Sequence, residues 1–413
     1  MTETIEDVES FRLRARAWLA ENMPRIDPEA AAAEGEDDDA DWLRNRELQK
    51  KLYAGGFAGI CYPKEYGGLG LTGEHQAAFT EEADGYEMPL RLNTPTFSIC
   101  APVILDLGTE EQKQKYIRGA ISGEIVLVQF LSEPKGGSDL AGVITRAERD
   151  GDTWVLNGQK IWSTSAYAGD YALCLARTDW DAPKHRGLTM FIVPIHHEGV
   201  TLRRIRMVAG ASDFCEEFFD DVVLPADSVV GQVNDGWTVA SRQLVYERTA
   251  MGGASPYTSG RRLRTPDKNR RTPAELAADL GRADDPVVQD LVGRWRTYDR
   301  VQHHLSRRVV QGIAAGTHPG PAASIMRLFH AEASWVERDV AVAIAGSQIV
   351  GVGGEQQRPL QMQASEFLMR QGASLGGGST EMARNLISER VLGMPREYAA
   401  DRDVPFNEVR QGR

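Results

Sequence analysis

Residues 150–165, DGDTWVLNGQKIWSTS, decide the fold. The run is rich in β-branched and aromatic residues and is punctuated by DG and NG, the dipeptides that turn one strand into the next. The same texture continues on both sides: IVLVQFL (125–131) before it, then YALCLA (171–176), GLTMFIVPI (187–195), GVTLRRI (199–205) and EEFFDDVVL (216–224). These runs predict a β domain of about 110 residues, assigned to 123–235. Outside it the apolar residues recur at helical spacing. Helices are predicted over 3–19, 42–54, 73–87, 94–107 and 110–122, and again over 237–251, 285–315, 321–349 and 380–392. The predicted architecture is an α+β multidomain chain. It comprises an α-helical N-terminal domain (1–122), a middle β-barrel or sandwich (123–235) and a C-terminal four-helix bundle (236–413). Residues 24–41, with EGEDDDAD at their centre, read as an exposed acidic loop. Residues 255–282 read as a basic, turn-rich connection. No repeat of fixed period occurs.

The chain has 413 residues, of which 42% are hydrophobic and 26% charged, the balance of a globular protein. Its net charge of −12 repels polyanions, which argues against nucleic acid and anionic membrane as partners. Four cysteines, Cys61, Cys100, Cys174 and Cys215, form no C-x-x-C pair, so neither a zinc site nor a disulfide framework is expected. No metal is predicted. The acidic start MTETIEDVES is unlike a signal peptide, and no run of 18 apolar residues follows, so a cytoplasmic location is expected. The chain lacks G-x-G-x-x-G between strand and helix, G-x-x-x-x-G-K-[ST], H-E-x-x-H and G-x-S-x-G, which removes Rossmann, P-loop, zincin and hydrolase-elbow chemistry.

Three segments carry chemistry. In LSEPKGGSD (131–139), Gly136 and Gly137 let backbone approach a ligand and Ser132 offers a hydroxyl. In NGQKIWSTSA (157–166), Trp162 offers a flat apolar face, with the Thr164 hydroxyl two residues on and on the same side of a strand. In GGGSTEMARNLISERVLGMPRE (376–397), a Gly run feeds a helix that Ser379 or Thr380 can cap, leaving backbone N–H groups suited to an anion.

These segments, together with GICYPKEYGGLGL (59–71), EEFFDDVVLPADSVVG (216–231) and SQIVGVGG (347–354), resemble the acyl-CoA dehydrogenase family in order and over almost the whole chain. The resemblance implies FAD as cofactor and an acyl-CoA substrate oxidised to its trans-2-enoyl-CoA, with electrons passing to an electron-transfer flavoprotein. It also implies flavin contacts at Gln129, Leu131, Ser132, Trp162 and Thr164, and a pantetheine contact at Ser138. Further FAD contacts are implied at Ser379 and Thr380, and Gln348, Gly351 and Gly353 of SQIVGVGG are candidates. The reaction needs a carboxylate to take the α-proton while the β-hydrogen leaves as hydride to the flavin. Burial raises such a carboxyl's pKa towards the working pH.

The chain departs from the commonest family pattern in two places. Where many members carry the catalytic Glu, ahead of the S-T-x-x-x-R signature, this sequence has Gly377, which cannot act as a base. A second family arrangement puts the Glu on the first helix of the last domain, before an Arg. Tyr246-Glu247-Arg248 matches it, which makes Glu247 the expected base, Tyr246 and Arg248 substrate-side residues, and a buried acid the expected partner of Arg248. Members with this arrangement act on long, branched or ring-bearing chains, which favours a bulky, steroid-side-chain-like acyl group. The second departure is the loss of R-x-x-F-G-x-P after that helix, where RRLRTPDKNRRTP (261–273) stands instead. Members lacking that motif include subunits of α2β2 heterotetramers in which a paralogous chain completes the FAD site, so such a heterotetramer stands beside a homo-oligomer as the expected assembly. Two alternatives are a non-catalytic or half-site subunit of such a heteromer, and a related flavoenzyme acting on a substrate that is not a CoA thioester.

Overall fold

The computed structural model describes residues 5–26, 38–251, 255–260, 270–350 and 357–409. The chain forms two compact units. The first comprises Met1–Arg206, Ser212–Thr265 and Ala400–Arg413, and the second Met207–Ala211 and Pro266–Ala399.

The first unit opens with helices α1 (Val8–Asn22), α2 (Asp38–Ala54) and α3 (Gly73–Glu82). Asp7 caps α1 by accepting from the Ser10 N–H, which fixes a start five residues later than periodicity alone predicts. A π-helical turn (Thr96–Cys100) leads into α4 (Ala101–Leu107). A capping box between Thr109 and Gln112 starts α5 (Glu110–Gln112), and α6 (Arg118–Ser122) closes the helical part.

Eight strands follow: β1 (Leu127–Phe130), β2 (Arg146–Asp150), β3 (Thr153–Thr164), β4 (Tyr171–Arg177), β5 (Leu188–Pro194), β6 (Val200–Ile205), β7 (Phe214–Pro225) and β8 (Val229–Val230). They form one sheet in the order β6-β7-β3-β2-β4-β5-β8, with β1 parallel to β4. β4 and most of β5 are buried along their length and read as continuous apolar runs, whereas β6 and β7 alternate. One hydrophobic core runs from Phe11 on α1 through the sheet to Val239 and Ala240 of α7 (Gly236–Met251). Gly236 lets that helix start against β5, because a Cβ there would lie 2.6 Å from the Thr189 backbone. Helix α7, placed at the head of the third segment by the sequence, thus belongs to the first unit.

The second unit contains α8 (Pro273–Asp279), α9 (Pro286–Ala314), α10 (Ala323–Ala345), α11 (Arg358–Met369) and α12 (Thr380–Arg390). α10 packs against each of the others, around a core that includes Leu276, Trp295, Val340 and Ile344. Periodicity did not anticipate α8 or α11. α8 has only seven residues and owes its start to a Thr272–Glu275 capping box with Pro273 at its first turn. No helix of the described residues is long and apolar enough to cross a membrane.

Candidate active site

β1 runs directly into the 131–139 turn, and a buried ion pair holds that turn to β3. Lys160 Nζ donates to the Leu131 carbonyl at 2.9 Å and to Glu133 Oε1 at 2.9 Å. The Glu133 carboxylate also accepts from the backbone N–H groups of Ile144 (2.7 Å) and Thr145 (2.9 Å). Burial pushes the Glu133 pKa up, but the Lys160 charge and these hydrogen bonds outweigh it, and the net shift is downward. The Ile161 N–H adds a 3.0 Å bond to the Ser132 carbonyl.

Two residues past Lys160 the strand bulges. The register with β7 slips between Ile161 and Ser163, and Trp162 takes φ +66°. The bulge turns the Trp162 indole outward, 54% exposed, with its ring centroid 5.9 Å from that of Phe214 and the two planes near perpendicular. Thr164 is exposed on the same side and Ser163 is buried.

Beneath the bulge the Ser163 hydroxyl donates to Glu217 Oε2 at 2.8 Å, while Glu217 Oε1 has no hydrogen-bond partner. Burial pushes the Glu217 pKa up from 4.5 to about 8, with Ser163 and Lys160 opposing. The folded protein therefore keeps this proton over a range in which the unfolded chain has lost it, so stability falls as pH rises from 4.5 towards 8. Glu217→Gln should flatten that slope and stabilise the protein at pH 7.5 by about 1 kcal/mol or more, read from denaturant midpoints across pH.

The candidate base arrives on α7. Gly236, Val239, Ala240 and Gln243 lie on its buried face, and Glu247, one turn after Gln243, continues that line and is half-buried. Burial raises the Glu247 pKa, with the Gln129 amide and the Arg248 charge pulling the other way. The carboxyl also acts on Cys100 of the π-helical turn, whose thiol is pushed well up by burial and by that negative charge. Gln129, on β1, leans on Glu247 from outside hydrogen-bond geometry, and its buried Nε2 has no partner.

Tyr246 donates its hydroxyl to Asp106 Oδ2 at 2.8 Å, and Arg242 Nε donates to the same oxygen. Its ring edge meets Tyr257, which packs on Tyr62 at 4.5 Å. The acid expected to pair with Arg248 is not found among the described residues. Arg248 is exposed, and the charge acting on it is that of Glu247. The cause is helical: a residue following an inward Glu247 sits about 100° round the axis and points away.

The structure thus brings Gln129 to Glu247 and ties Ser132 to the strand that carries Trp162 and Thr164, all in the first unit, with Ser138 exposed in the turn. Gln348, Ser379 and Thr380 belong to the second unit. Gln348 is exposed, and Ser379 caps α12 by accepting from the Met382 N–H at 3.2 Å. Gly351 and Gly353 lie outside the described residues. Arg327 Nη2 holds the Gly run by donating to the carbonyls of Gly376 (2.7 Å) and Gly378 (3.0 Å). Gly377 has φ +70°, a conformation in which a Glu would be strained. Sequence reasoning passed over Lys160, Glu133, Glu217 and Gln243. The available signal for Lys160 was its even spacing from the buried Trp154 and Leu156 on the same strand.

The first-unit site fits a flavin. It offers an orphaned buried amide donor at Gln129, an outward flat indole at Trp162 and an exposed hydroxyl at Thr164, beside a turn held by Lys160.

Residues 5–124 match the acyl-CoA dehydrogenase N-terminal domain, 129–222 the middle domain and 234–392 the C-terminal domain. Acyl-CoA dehydrogenase IpdE1 of Mycobacterium tuberculosis is 33% identical over 95% of this chain and 99% of its own. The solved "Tcur3481-Tcur3483 steroid ACAD" superposes with a TM-score of 0.72 at 28% identity, covering 95% of this chain and 100% of that one. The ChsE4-ChsE5 complex from Mycobacterium tuberculosis gives 0.66 at 25% identity, covering 96% and 100%.

Proposed function

The chain belongs to the acyl-CoA dehydrogenase family, and from that premise we propose that it is an FAD-dependent enzyme converting a bulky, steroid-side-chain-like acyl-CoA to its trans-2-enoyl-CoA. The observation that carries the reading is Glu247. It is a half-buried carboxyl with a raised pKa, met by Gln129 of the strand that runs into the 131–139 turn. FAD, when bound, supplies the acceptor for the β-hydride. Gln129, Leu131, Ser132, Trp162 and Thr164 are the residues that would hold it, and Ser138 lies where the substrate's pantetheine arm would run. Glu247 takes the α-proton. Its ionised form is the active one, so turnover rises with pH through its elevated pKa.

Two further features bear on substrate and assembly. A solved relative is titled a steroid acyl-CoA dehydrogenase, and two are titled by a pair of chains. This sequence lacks R-x-x-F-G-x-P after α7. The reading is therefore a heteromer in which a paralogous subunit completes FAD binding, with an electron-transfer flavoprotein as acceptor. The chain produced with such a paralogue should retain flavin absorbance that it lacks when produced alone. The loaded complex, given an artificial electron acceptor, should remove two hydrogens from ring-bearing acyl-CoAs faster than from short linear ones. A flavin-loaded protein that leaves every acyl-CoA unchanged would refute the activity. Full loading and turnover by the single chain would refute the heteromer.

A further inference from the structure

Gln243 is fully buried, 0% exposed, and neither its Nε2 nor its Oε1 makes a hydrogen bond. A buried amide with both ends unpaired costs stability that a hydrocarbon of the same shape would not. Its place on α7 gives that cost a use. Side chains on a helix tilt towards its N-terminus, so a residue at i+4 leans back over the turn that carries residue i. Glu247 therefore follows Gln243 by one turn on the same face, at the spacing where side-chain amides and carboxylates pair. The second unpaired amide, Gln129 Nε2, comes to the same carboxyl from β1. The remaining titratable groups bearing on Glu247 are Arg248 on its own helix and Cys100 on the packed π-helical turn. Cys100 donates its Sγ–H to the Val128 carbonyl, and Arg248 is exposed, which leaves Gln243 as the donor within the buried wall on this helix.

Building on the assignment of Glu247 as base, we propose that Gln243 is a positioning residue, donating its amide N–H to the Glu247 carboxylate once acyl-CoA occupies the site. The contact fixes the carboxylate's rotamer and favours its ionised form in the complex. The empty protein carries the amide unpaired.

The test is Gln243→Met, which keeps side-chain length and removes the hydrogen-bonding groups, with Gln243→Leu as a second variant. The melting temperature of the substrate-free protein should rise by about 2 °C or more, where a merely structural hydrogen-bonding role would lower it. The rate of flavin reduction in a single turnover at saturating acyl-CoA should show its acidic limb displaced upward by roughly one pH unit, while the limb of kcat/KM, which reports the free enzyme, stays in place. A lowered melting temperature in both variants, or an unmoved limb in the saturated complex, overturns the proposal. Glu247→Gln run alongside separates the two readings. If that variant still turns over, the base assignment has failed. If it is dead and the Gln243 variants behave like wild type, only the present inference has.

Discussion

Glu247→Gln lowers turnover by at least about 10²- to 10⁴-fold, the range lost with a positioned general base, and leaves the flavin absorbance and the melting temperature close to those of the wild type. The amide is nearly isosteric with the acid and cannot accept the α-proton. It also removes a carboxyl whose ionisation the site opposes by burial, so no loss of stability accompanies the loss of rate. Glu247→Asp tests geometry separately from acidity. The carboxylate remains but stands one methylene short of the substrate carbon, and a positional penalty of about 10²-fold alone follows. Rapid-mixing measurements of flavin reduction, together with the spectrum of the loaded protein before mixing, check both variants. Near-wild-type reduction by Glu247→Gln would place the base elsewhere. Gly377, at the other family position, offers no side chain for the task and has a backbone that disfavours one.

The helices and strands were legible where a single period governs a long run, as on α9, or where an apolar run is unbroken, as along β4 and β5. What the sequence hid was each place where the period breaks. On β3, Trp154, Leu156 and Lys160 share the buried face, and simple alternation would bury Trp162 with them. The bulge inserts one residue of phase, so Trp162 emerges and Ser163 goes in. Only the resemblance assigned that indole to a cofactor, because alternation alone assigns it to the core. Glu247 was likewise found through its neighbours in a family pattern. The helical line Gly236, Val239, Ala240, Gln243, Glu247 would have confirmed its inward direction and excluded an inward Arg248. Gln243 was passed over because a Gln in a helix is ordinarily a surface residue. Its cost and its meaning depend on what surrounds it in three dimensions.

Breaking the Lys160–Glu133 pair destabilises the first unit by about 3–5 kcal/mol, since removing either partner strands a buried charge. Lys160 is 0% exposed and sits below the flavin cradle rather than in it, so Lys160→Met deletes no group that touches a ligand. It does free the Leu131 carbonyl and leave Glu133 with its two backbone donors alone. The turn at 131–133 loses its side-chain tie to the segment that carries Trp162 and Thr164 and keeps only the Ile161 N–H to Ser132 carbonyl bond, so flavin retention should fall together with the melting temperature. Lys160→Met combined with Glu133→Gln removes both charges and should recover most of the stability, because the amide can still accept from the Ile144 or Thr145 N–H. Flavin retention should recover less, as nothing restores the grip on Leu131. The pH dependence has a defined sign. Glu133 has a lowered pKa in the folded state, so its contribution is present above the ordinary carboxylate range and is lost as pH falls through the folded value. Glu217 acts in the opposite sense on the same floor. The wild type should therefore be most stable on the acid side of neutrality, between the two titrations, and Lys160→Met should lose the acid-side fall because its Glu133 no longer has a cation to lose. Denaturant midpoints across pH for the wild type, the single variant and the double variant check this ordering. Equal midpoints for single and double variants would mean that Glu133 finds its compensation elsewhere and that the ion pair does not hold the cradle.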